Sequence, residues 1–225
     1  MIWRLALTVI LLSFIPTAAI CIYMLRKYRA EVLSRKLFIR LMILGALAVI
    51  PGIILVSLVS GFFSVDKLST YLIKPFIAVA LIEEMIKLLI LSLVLYRNTH
   101  FRTIKNGIQY SIAIAVGFAF AENIIYMTGS QSSFPLLLLR SLTALPLHVI
   151  CGAYTGYFAG RGKTMEKRFF GKALLTAVTI HGLYNLLVNL YFPYYLLSVI
   201  LLIISVFILK HQYSKKDSIG SFKDT

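Results

Sequence analysis

The sequence predicts an all-α fold, a polytopic membrane helix bundle of about seven transmembrane helices, on three observations. Of its 225 residues, 60% are hydrophobic and only 14% charged, and the mean hydropathy is +0.88; a soluble domain of this length could not hide so much apolar surface. Apolar runs of about 20 residues, each long enough to cross a bilayer core, account for nearly the whole chain. Basic residues gather in alternate gaps between those runs.

The spans fall at approximately 3–25, 38–61, 71–96, 107–127, 135–159, 170–191 and 194–209. The first is no secretory signal, because only Arg4 precedes it and the cluster RKYR follows it. The last two are joined only by the Phe192-Pro193 turn. Residues 1–209 form one transmembrane unit, and the polar stretch 210–225 reads as a mobile cytoplasmic tail.

Charge placement sets the orientation. The gap after span 1 holds Arg26, Lys27, Arg29, Arg35, Lys36 and Arg40, and that after span 3 holds Arg97, Arg102 and Lys105. Arg161, Lys163, Lys167, Arg168 and Lys172 follow span 5, and Lys210, Lys215, Lys216 and Lys223 follow span 7. Eighteen of the 23 basic residues thus share one side, against few, such as Arg4 and Lys67, on the other. By the positive-inside rule the N-terminus is outside and the C-terminus cytoplasmic. The net charge of +15 therefore speaks for a lipid bilayer and not for nucleic acid as partner. Cys21 and Cys151 both lie in apolar runs and read as packing residues, with no disulfide framework.

Span 3 is the anomaly. Its centre reads LIEEMIKLLIL, with Glu83, Glu84 and Lys87 at membrane depth. Three charges there cost on the order of 8–10 kcal/mol, and the surrounding Leu, Ile, Phe and Val residues return only about 5–9 kcal/mol. Something inside the bundle must want those charges. Glu122 and Asn123 lie in span 4, just outward of its centre; His148 is mid-span in span 5, and His181 in span 6 with Asn185 one turn outward. Four helices present polar groups to one layer. Small residues flank them at intervals of four: Ala144, His148, Gly152, Gly156 and Gly160 in one span, and Ala173, Ala177, His181 and Asn185 in another. Such spacing lets membrane helices approach closely, so the histidines point into helix interfaces. Arg140, near the end of its span, is expected to snorkel.

Each group has a duller role available. Lys87 can neutralise Glu83 at i, i+4 and Glu84 at i, i+3, and a lone buried histidine is more often an interhelical hydrogen bond than a catalyst. Three glutamates and two histidines in one layer favour a functional site. Neighbouring buried carboxylates suit general acid–base activation of water, with a histidine or asparagine stabilising an oxyanion; together they make a hydrolase site. G-x-S-x-G, H-E-x-x-H and G-x-G-D motifs are absent, which removes serine, thermolysin-like and presenilin-like readings. His148, His181 and Glu122 offer the ligand types of a catalytic zinc. Metal-bound and carboxylate-activated water both remain open, and no metal is favoured, because His181 with Asn185 makes a better oxyanion pair than a ligand pair. The competing class is a proton- or ion-coupled transporter using the same Glu/His layer; the small size and the lack of an inverted repeat speak against it.

E83-E84-x-x-K87, F118-A119-x-x-E122-N123, the mid-span His148 and H181-x-x-Y184-N185 resemble the PrsW family of intramembrane proteases. That family shares a membrane clan with the CAAX endopeptidases and bacteriocin-processing peptidases. Glu122 stands where the clan's F-x-x-x-His histidine would be, and Lys87 replaces an arginine; both departures fit the PrsW branch. The resemblance covers about 70–190. It implies a multi-pass protease of the bacterial plasma membrane that makes the first (site-1) cut in a single-pass anti-sigma factor, near its extracytoplasmic side, in envelope stress signalling. The clan's mechanism has been read as metallo and as glutamate-dependent. The implied catalytic residues are Glu83, Glu84, Glu122, His148, His181 and Asn185, supported by Lys87 and Asn123.

Overall fold

The structure is a computed structural model that describes residues 2–27, 34–63, 66–97, 103–129, 134–164, 169–190 and 195–220. The expected Phe192-Pro193 turn, several basic gap residues and the side chain of Arg140 lie outside the described residues. The described residues form seven α-helices: α1 (Ile2–Lys27), α2 (Arg35–Ser60), α3 (Leu81–Arg97), α4 (Ile104–Gly129), α5 (Phe134–Thr164), α6 (Phe169–Val188) and α7 (Leu196–Gly220). Each overlaps one expected span.

By length and composition α2, α4 and α7 contain stretches long and apolar enough to cross a membrane. Polar groups at membrane depth make the helices that carry them depend on their neighbours for insertion. On α2 the exposed side chains Ile39, Ile43, Leu47, Ile50 and Ile54 recur three and four apart, a continuous apolar stripe facing outward. A water-soluble protein would bury that stripe. A bilayer is the environment that suits it.

Helix α4 sits at the centre, packed against α5 on one side and α2 on the other. Its buried run from Ser111 to Ala119 is mostly small residues. A Cβ on Gly117 would strike the Met42 carbonyl oxygen, and one on Gly45 that of Ile114, so α2 and α4 touch backbone to backbone. The stripe on α5 behaves likewise: Gly156 meets the Gly107 carbonyl, and Gly160 meets Ile104. Since backbone cannot yield as a side chain can, Gly156→Leu should destabilise the fold by about 1–3 kcal/mol or more. Gly171, which has nothing near its missing Cβ, should tolerate alanine. Unfolding by SDS titration checks the pair.

Local sequence explains the helix starts. Ser34 accepts from the Leu37 amide at 3.2 Å as the cap of α2. Thr103 and Asn106 bond reciprocally at the start of α4. Asp66 accepts from the Ser69 hydroxyl and amide, which hold its carboxyl below the usual carboxylate range.

Span 3 is not the single α-helix expected over 71–96. Two π-helical segments, Ser69–Ile73 and Pro75–Ala80, precede α3. Pro75 has no N–H to donate, and its ring would clash with the carbonyl four residues back. Wider i→i+5 bonding relieves that clash; the Leu81 amide bonds to Phe76 O. Phe76 then packs where Gly182 of α6 leaves room. α7 also continues past the expected end at 209, so residues 210–220 of the expected tail are helical. Helical bonds within a segment need no apolar surroundings, and Tyr157 Oη of α5 donates to the Gln212 carbonyl at 3.3 Å, anchoring the extension.

Candidate intramembrane active site

The first turn of α3 delivers Glu83 and Glu84, and Lys87 follows one turn later. Lys87 Nζ donates to Glu84 Oε1 at 2.8 Å and lies 3.8 Å from Glu83 Oε2. All three are buried, as are His148 and His181. The expected i, i+4 and i, i+3 pairings are both present, but the shorter contact goes to Glu84.

Donor and acceptor chemistry assigns the histidine protons. Lys87 Nζ also lies 2.8 Å from His148 Nδ1. An ammonium can only donate, so Nδ1 accepts and Nε2 carries the hydrogen. That Nε2–H donates to Glu122 Oε2 at 2.8 Å. His181 Nδ1 lies 2.8 Å from Glu84 Oε1; a carboxylate only accepts, so here Nδ1 carries the hydrogen, and in the neutral ring Nε2 keeps its lone pair. His181 Nε2 faces Glu83 Oε2 at 3.9 Å. The polar layer is therefore one chain of contacts, Glu122–His148–Lys87–Glu84–His181–Glu83, drawn from α3, α4, α5 and α6. Aromatic contacts hold it: Lys87 Nζ sits 4.1 Å from the Phe118 ring centroid, and the two histidine rings meet edge to face at 5.2 Å.

With the ring neutral and the carboxylate ionised, two lone-pair atoms face each other with no proton between them. Glu83 Oε2 is buried and lacks a hydrogen-bond partner, an expensive condition for a carboxylate oxygen. A bound cation would satisfy it. Ligand atoms of Glu83, His148 and His181 all lie within 4.8 Å of one another, so the residues fit a metal. In this group Glu83 stands where the sequence offered Glu122, which here accepts from His148. Both ring nitrogens of His148 are engaged, so its ligation competes with one of those bonds.

A cavity of about 520 Å³ adjoins the layer. Glu83, Glu122 and Asn185 line it, together with Val49, Gly52 and Ile53 of α2 and Tyr71, Lys74 and Pro75 of the π-helical region. Glu84 lies behind Glu83, its Oε1 shared by Lys87 and His181. Asn185 is half-buried, and Asn123, next to Glu122, is buried. The sequence reading gave no site role to Phe118 or Lys74. Phe118 opens the motif that ends at Glu122, one turn away. Lys74 carried a signal too, as a basic residue on the side poor in them. Tyr184, inside the H-x-x-Y-N motif, bonds the Thr143 hydroxyl and ties α6 to α5.

A family model described as PrsW family intramembrane metalloprotease matches residues 34–209. This chain belongs to the PrsW family. Among proteins named Protease PrsW, that of Oceanobacillus iheyensis is 31% identical over 156 residues, covering 68% of this chain and 70% of that protein. The one from Clostridioides difficile is 28% identical over 178 residues, 76% of this chain and 74% of that one. The one from Shouchella clausii is 26% identical over 220 residues, 94% and 97% of the two. No solved structure matches the chain at a significant level. As a PrsW protein it is an intramembrane protease, a peptide hydrolase of the membrane. The transporter reading is thereby set aside. The metal-free site that the sequence favoured also loses ground, since the family is described as metalloproteases and a Glu/His/His group is present.

Proposed function

We propose that this PrsW protease is a multi-pass protein of the bacterial plasma membrane, N-terminus outside, that makes the first cut in a single-pass anti-sigma-like regulator near its extracytoplasmic side. The observation that carries the reading is the direction of the cavity. It runs from Glu83 and Glu122 towards Val56 and Ser57 late in α2, Tyr126 of α4, Thr70 and Asn189. These lie towards the helix ends opposite the basic gaps, which the positive-inside rule puts outside the cell. A peptide entering that way meets the glutamates from the extracytoplasmic half.

Glu83, His148 and His181 would hold a catalytic zinc. Such an ion makes water a nucleophile at neutral pH and polarises a carbonyl oxygen. The chain's own groups supply the rest. Glu84 fixes the tautomer of His181, as a carboxylate behind a ligating histidine does. Lys87 holds Glu84 and His148 in place. Glu122 faces the cavity and is the base that takes a proton from water and returns it to the leaving amine. Asn185, one turn from His181, donates to the developing oxyanion.

Purified protein should carry one zinc per chain by elemental analysis, and His181→Ala should lose it. Cleavage of a single-pass substrate in proteoliposomes, with the products sized by mass spectrometry, should place the cut at the extracytoplasmic end of the substrate span. A cut at the cytoplasmic end, or full cleavage without metal, overturns the proposal.

A further inference from the structure

Lys74 stands out in the cavity wall. It lies between the two π-helical segments, on the side of the membrane that the sequence keeps poor in basic residues. It is half-buried and lines the cavity that Glu83 and Glu122 line further in. Among the described residues no hydrogen bond or ion pair engages its ammonium. Its neighbours in the wall, Tyr71, Pro75 and Val79, offer no charge. The cavity is therefore bipolar, negative at its inner end and positive at its outer end.

We propose that Lys74 is a specificity-determining residue, which binds the side-chain carboxylate of an aspartate or glutamate in the substrate, on the extracytoplasmic side of the scissile bond. The chemistry is complementary at both ends. An acidic residue beside the bond would be repelled by Glu83 and Glu122, and one displaced outward would meet an ammonium with no other counter-ion. The spacing sets the position. Lys74 precedes Glu83 by nine residues, roughly 10–13 Å of helix axis. An extended chain covers about 3.3 Å per residue, which puts the recognised carboxylate about three or four residues from the cut. This rests on the reading that the bond is broken at Glu83 and Glu122.

The test uses the full chain in proteoliposomes and a library of single-pass peptides with a Leu/Ala span and a randomised ten-residue extracytoplasmic stretch. Mass spectrometry reads the cleaved products. The wild type should enrich Asp and Glu about tenfold at three or four residues outward of the cut. Lys74→Gln should abolish that enrichment while still cleaving the library, and Lys74→Glu should replace it with Lys and Arg. Peptides retained uncut by Glu83→Gln protein should carry the same acidic enrichment. Absence of the enrichment, its survival in Lys74→Gln, or equal loss on acidic and neutral peptides overturns the proposal; the last outcome assigns Lys74 to lipid headgroups or to folding. Failure of the underlying site reading looks different, as wild-type cleavage by Glu83→Gln whatever the preference at Lys74.

Discussion

Glu83→Gln is expected to lose both cleavage and bound metal, and Glu122→Gln to lose cleavage with the metal retained. Both residues line the same cavity, but only Glu83 belongs to the Glu83–His148–His181 group. Loss of a general base costs about 10²–10⁴-fold, so Glu122→Gln should fall within that range. Glu83→Gln should fall below it, since a neutral amide is a far weaker zinc ligand than a carboxylate. Asn185→Ala should be milder, about 10²–10³-fold, the usual effect of one oxyanion donor, with substrate binding little changed. Single-turnover cleavage with parallel elemental analysis separates the three. If Glu122→Gln loses the metal and Glu83→Gln keeps it, the two glutamates have been assigned the wrong way round. Wild-type rates in all three would make the layer structural.

Much of this site is legible in the sequence because membrane depth makes charge costly. Glu83, Glu84, Glu122, His148 and His181 announce themselves by sitting where apolar residues belong, and the structure joins them through contacts of 2.8–3.9 Å. The seven spans are legible for the same reason. Pairing is less so, because it depends on the rotation of each helix about its axis. Helix spacing alone treats Glu83 and Glu84 as equivalent partners of Lys87. Packing on α6 turns Glu84 towards His181 Nδ1 and leaves Glu83 Oε2 at the cavity without a hydrogen bond. Two π-helical segments upstream contribute to that rotation, and their only clue in the sequence is Pro75. The continuation of α7 to Gly220 was hidden too, since an apolar pattern marks where lipid ends and not where helical bonding ends.

Lys87→Met should destabilise the bundle by about 3–5 kcal/mol, the usual effect of removing one partner from a buried ion pair. The Lys87 side chain is 4% exposed and that of Glu84 1%, so water cannot take over the lost contact. His181 would still donate to Glu84 Oε1, but neutral imidazole does not cancel a buried negative charge. His148 Nδ1 would lose its donor as well, and the ring that Glu122 holds from the other side would no longer be fixed. Cleavage should therefore fall even in the fraction that remains folded. SDS-titration unfolding measures the first effect, and specific activity per folded molecule the second. Adding Glu84→Gln should restore part of the stability, because a neutral pair needs no counter-ion. It should not restore activity, since a glutamine can present its NH₂ where His181 needs an acceptor. Unfolding of Lys87→Met at the wild-type midpoint would mean that Glu84 is already neutral in the fold, and that Lys87 serves His148 alone.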